Sequence, residues 1–79
     1  MVIWNVEKRR WGFNIPTFLT KEETSILKYA ITAYGFVMKN KPSYSFIELA
    51  DEIEKVYDLN NPRNWEVARV LRRAGLKSE

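Results

Sequence analysis

Two capping boxes constrain what this chain can become. Thr20-Lys21-Glu22-Glu23 and Ser45-Phe46-Ile47-Glu48 each place a hydroxyl three residues before a glutamate. At that spacing the hydroxyl accepts from the third helical N–H, and the glutamate reaches back to the N–H of the cap. A third start follows at Asn61-Pro62, where Asn caps and Pro suits the first helical position. Three helices are therefore expected over 20–39, 45–57 and 62–74, with 1–19 as an extended N-terminal segment of one domain spanning 1–79.

Periodicity supports each helix. In the first, Ile26, Leu27, Ala30, Ile31, Ala33, Tyr34, Val37 and Met38 share one broad face, with Lys28, Thr32, Gly35 and Lys39 opposite. Gly35 is expected to weaken it. In the second, Phe46, Leu49, Ala50, Ile53, Val56 and Tyr57 form the apolar stripe. In the third, Val67, Ala68, Val70, Leu71 and Ala74 face inward, Gly75 is placed for a left-handed C-cap, and Leu76 for its hydrophobic contact. Leu49 and Leu71 lie at the centres of their stripes and are expected in the core. So are Trp4, Tyr44, Phe46 and Tyr57.

Residues 1–19 alternate as a strand does, with Val2, Trp4 and Val6 against Ile3 and Asn5. A hairpin returning across Arg10–Ile15 and an arm laid over the helices both fit. Trp4, Trp11 and Phe13 carry too much apolar surface for a solvated tail, and are expected to cover Tyr29 and Phe36 on the flank of the first helix. The fold class expected is mainly α: a three-helix helix-turn-helix core with an N-terminal extended segment or short β-hairpin.

Composition narrows the function. The chain has no cysteine and no histidine, which removes disulfides, thiolate chemistry and the commonest base and metal ligand. Serines have no histidine to activate them, and three scattered glycines make no phosphate-cradling loop. No enzyme, cofactor or metal is expected. No apolar run approaches the ~20 residues of a membrane span. The N-terminus places its charges after its apolar residues, the reverse of a secretory signal. A cytoplasmic protein without a membrane partner is expected.

Charge is unevenly distributed. The net is +3 overall, but −4 over residues 45–61 and +3 over 62–79, with +2 in each of 1–19 and 20–44. Arg69, Arg72 and Arg73 share the outer side of the third helix with Trp65, while Arg63 precedes them and Lys77 follows. Guanidinium groups there grip phosphates or a guanine edge; cations near a helix C-terminus also favour the macrodipole alone. Lys8-Arg9-Arg10 beside Trp11 reads as a backbone-tracking arm, or as a solvated turn. Glu48, Asp51, Glu52, Glu54 and Asp58 lie on a convex helix and read as a solvated face.

Two stretches carry a resemblance. Ser45-Phe46-Ile47-Glu48-Leu49-Ala50-Asp51-Glu52-Ile53 resembles a positioning helix, with Ala50 at the crossing. Trp65-Glu66-Val67-Ala68-Arg69-Val70-Leu71-Arg72-Arg73-Ala74-Gly75-Leu76 resembles a recognition helix. Together they are similar to helix-turn-helix and winged-helix-like DNA-binding domains, including modules of phage and plasmid replication proteins. The chain departs from them in a longer break at 58–63, and in having only four residues after Gly75, so that any sheet is expected from residues 2–15. The resemblance implies duplex DNA binding, as a monomer or homodimer, in transcription, replication or packaging in a prokaryote or mobile element. Arg63, Trp65, Arg69, Arg72, Arg73 and Lys77 would be at the groove, and Lys8, Arg9 and Arg10 on the adjacent backbone. A protein partner at the Trp65/Arg face or the acidic second helix, and a single-strand or RNA ligand on Trp65, Trp11 and Phe13, are the alternatives.

Overall fold

Each capping signal starts a helix. A computed structural model of the chain describes residues 1–78, and the side chains of residues 1–76. Helix α1 runs Lys21–Tyr34, α2 Phe46–Val56 and α3 Pro62–Ser78. At α1, Thr20 Oγ1 accepts from the Glu23 N–H at 3.1 Å, and Glu23 Oε1 accepts from the Thr20 N–H at 3.0 Å. At α2, Ser45 and Glu48 repeat the exchange at 3.1 and 3.0 Å. Asn61 Oδ1 caps α3 through the Arg63 N–H at 3.0 Å.

Three short strands precede α2: β1 Val2–Asn5, β2 Arg10–Gly12 and β3 Ser43–Tyr44. They form one antiparallel sheet in the order β2-β1-β3. The N-terminal segment is thus a hairpin, pairing Trp4 with Trp11 and Asn5 with Arg10. Its turn caps itself, with Asn5 Oδ1 accepting from the Lys8 N–H at 3.0 Å. Arg9 closes it in a left-handed conformation, φ 54°. A non-glycine residue held there costs about 1–2 kcal/mol. The central strand pairs Val2 with Tyr44, and both are fully buried. Sequence periodicity did not mark β3, because two residues are too few to show a period.

The core is continuous through all elements. Leu27, Ala30 and Ile31 of α1 meet Phe46, Leu49, Ala50 and Ile53 of α2 and Val67, Val70, Leu71 and Ala74 of α3. Leu49 and Leu71 are completely buried, as their stripes require. Trp11, Phe13, Ile15 and Leu19 pack against this core from the N-terminal side. The Tyr34 hydroxyl donates to Asn64 Oδ1 at 2.6 Å and ties α1 to α3.

Several expectations need correction. Helix α1 does not continue to residue 39; it tightens into a 3-10 turn over Gly35–Met38. A side chain at Gly35 would be crowded, since a Cβ there would lie 3.0 Å from Trp11 Nε1 and 3.1 Å from the Tyr44 hydroxyl. Ala33 and Val56 point to solvent, the latter because α2 ends there and Tyr57 is already extended. Trp4 is part-exposed and Tyr57 half-buried, not core. Tyr29 and Phe36 are not covered by the N-terminal aromatics: both remain exposed.

Gly75 is not a C-cap either. Helix α3 continues through it without a positive φ, and Leu76 is exposed. Its role is close approach to the start of α2, because a Cβ would stand 2.6 Å from Ile47 Cγ1 and 3.3 Å from the Ile47 backbone nitrogen. Two effects oppose each other in Gly75→Ala. Helix propensity favours Ala by about 1 kcal/mol, while overpacking costs roughly 1–3 kcal/mol. The β-branched Ile47 has few rotamers with which to yield. Gly75→Ala is expected to destabilise the domain by up to about 2 kcal/mol, and the same change made in an Ile47→Ala background to stabilise it. Urea denaturation of the four proteins reads both signs; a stabilising Gly75→Ala in the parent would show that the contact is loose.

Candidate nucleic-acid interface

Helix α3 positions its cations on three different sides. Arg72 leans to α2, where its Nε meets Glu54 Oε2 and its Nη2 meets Asp51 Oδ1, both at 2.7 Å. This pairing holds the Glu54 carboxyl below the ordinary carboxylate range and pushes the Arg72 guanidinium up. Arg73 leans to the start of α1, with Nε 2.9 Å from Glu23 Oε2 and the guanidinium over the Phe18 ring. Glu23 is held low by the Thr20 backbone N–H first, then by Arg73. Arg63 donates to the Tyr29 hydroxyl at 3.1 Å. Arg69 rests over the exposed Trp65 ring at 5.9 Å and has no carboxylate partner among the described residues. The Lys77 side chain lies outside the described residues. Among the described residues, the face read from the sequence is therefore one arginine without a carboxylate or hydroxyl partner and one exposed tryptophan, with its neighbours paired inside the molecule.

The acidic run is correspondingly not just a solvated face. Asp51 and Glu54 hold Arg72, and Glu48 holds Lys41 at 3.0 Å. Glu48 is kept low by Lys41 and then by the Ser45 N–H. Among the described residues, no three acidic, histidine or cysteine side chains cluster to hold a metal ion, and no helix is long and apolar enough to cross a membrane.

A second surface gathers free cations. The β1–β2 hairpin leans across α1 and the 3-10 turn and leaves a groove of about 1150 Å³. That exceeds the roughly 300–1,000 Å³ of a pocket for a drug-sized molecule, so an extended ligand suits it better. The hairpin contributes Arg9, Arg10, Trp4, Trp11 and Phe13; α1 and the residues after it contribute Lys28, Thr32, Phe36, Lys39 and Lys41. Among the described residues, no carboxylate lines it. Lys41 is paired to Glu48, but Arg9, Arg10, Lys28 and Lys39 have no carboxylate partner among the described residues. Lys8 is exposed on the turn and does not line the groove.

The aromatics are arranged around Trp11. Its ring stands edge-on to Tyr44 at 4.9 Å and to Trp4 at 5.0 Å. Trp11 is thereby an anchor, whereas Trp4 keeps 39% of its surface and Phe36 61%. Comparison with known proteins gives no matching family model, no similar curated protein and no similar solved structure. The groove must be read from its own chemistry.

Sequence reasoning found Arg9 and Arg10 but missed Lys28, Lys39 and Phe36 as site residues, and placed Trp4 in the core. A signal existed in the polar ridge Lys28-Thr32-Gly35-Lys39, spaced by four, three and four residues. Alone it reads as a solvated helix face. It becomes a wall only because the hairpin docks on the Gly35 end of it.

Proposed function

We propose that this protein binds nucleic acid through the groove between the hairpin and α1. The observation that carries the reading is a concave surface where, among the described residues, four cations lack a carboxylate partner and no acid is in the lining. Like charges so placed repel one another and lower stability, and a single-sign concavity focuses its field on an anion. Packing gives no reason for them. Arg9 adds to this, since an arginine is kept at a turn position that glycine or asparagine would occupy with less strain.

Binding of a fluorescein-labelled oligonucleotide should weaken steeply with salt. Four phosphate contacts give a slope of log K against log salt of about −3 for a single strand or near −3.6 for a duplex. A slope near zero, or no binding at low salt, would remove the reading.

The resemblance of α2 and α3 to a helix-turn-helix supports a second reading, duplex DNA held by α3. Its favouring observation is Arg69 beside the exposed Trp65. The ion pairs of Arg72 and Arg73 leave that face less charge to offer.

A further inference from the structure

The groove carries more than charge. Phe36 stands on the turn after α1 with 61% of its surface in water and no ring partner among the described residues. Trp4 is half-free, held by one edge-on contact with Trp11. Both line the concavity that Arg9, Arg10, Lys28 and Lys39 surround. A duplex offers such a groove only its phosphates, because its base faces are stacked on each other. A single strand offers phosphates and base faces together. Open aromatic rings beside a cationic track match that second ligand, and they do so for any base, since each has a π face.

We propose that the ligand of the groove is single-stranded nucleic acid, with bases stacked on Trp4 and Phe36 and phosphates held by Arg9, Arg10, Lys28 and Lys39. This rests on the nucleic-acid reading above. Trp11 is the support: its indole fills the space beside Gly35 and fixes Trp4 from below. Gly35 serves the same end, since a Cβ there would crowd both the Trp11 indole and the Tyr44 hydroxyl. The wall that Phe36 occupies is the 3-10 turn Gly35–Met38, on which its ring stands exposed.

The test uses the full chain with a labelled twelve-nucleotide oligothymidine and a blunt duplex of the same length, followed by anisotropy. The expected result is tighter binding of the single strand. Phe36→Leu, which keeps an apolar side chain but loses the π face, should weaken single-strand binding roughly 5- to 150-fold and duplex binding little. Trp4→Leu should act in the same direction. Phe36 is exposed, so its variant keeps the fold, and circular dichroism checks this. Equal affinity for both ligands, or a Phe36→Leu protein that binds the single strand unchanged, overturns the stacking proposal while leaving nucleic-acid binding in place. Absence of binding to either ligand at low salt overturns both.

Discussion

Trp11→Ala is expected to cost the domain about 3 kcal/mol of stability, the lower end for removing a large packed ring. Its melting temperature should fall by roughly 12–24 °C. The size follows from position. Trp11 lies on the edge strand β2, which has only three residues and one partner strand, so backbone pairing holds it weakly. Its indole contacts Tyr44, Trp4 and the space beside Gly35. Those contacts join the hairpin to α1 and to the strand that leads into α2. Without them, the hairpin keeps the buried Val2–Tyr44 pair, the Trp4 N–H bond to the Pro42 carbonyl at 2.9 Å and the packing of Phe13 just after β2. A chain of 79 residues has only about 4–12 kcal/mol in total, so the loss is a large fraction. Ile3→Ala, on the exposed side of β1, is the control and should stay within about 0.5 kcal/mol. A Trp11→Ala protein that melts with the control would show that the Trp11 indole does not tie the hairpin to the core.

The helices were legible in the sequence because their signals are local. Thr20, Glu23, Ser45, Glu48, Asn61 and Pro62 act within four residues of themselves, and tertiary packing had no reason to override them. The apolar stripes were legible for the same reason, apart from Ala33 and Val56 at their margins. What failed depended on neighbours. Gly75 looks like a helix stop until Ile47 is seen against it. Arg72 and Arg73 share a helical face, but 100° of rotation separates adjacent residues. One therefore falls to the acids of α2 and the other to Glu23 of α1. A helical wheel gives the outer side of a helix and not which element stands at each edge.

The groove was hidden for a related reason. Its walls come from residues 4–13 and 28–42, two segments whose spacing carries no shared period. Each half has a dull local explanation, a basic turn and a polar helix ridge. Only the docking of Trp11 on Gly35 turns them toward one space. Arg9 held the clearest single clue, and it lay in a backbone angle that the sequence does not display.

The largest effect on binding is expected from reversing that space's charge. The variant Arg9→Glu, Arg10→Glu, Lys28→Glu, Lys39→Glu should lose more than about 100-fold in oligonucleotide affinity at low salt, since each charge-assisted contact contributes about 1.5–3 kcal/mol and two suffice for that loss. Its salt slope should approach zero, as about one unit disappears with each phosphate contact. All four side chains are exposed and have no carboxylate partner among the described residues, so the fold should persist. The contrasting variant is Arg69→Ala, Arg73→Ala on α3. It removes one free cation and one already engaged with Glu23. It should weaken binding less than the groove variant and slightly lower stability through the lost Glu23 pair. Arg72→Ala should act on stability alone, because it leaves Asp51 and Glu54 facing each other without their shared cation. If the ranking inverts, with the groove variant binding normally and the α3 variant not, the interface is the recognition-helix face and the hairpin groove is a structural by-product.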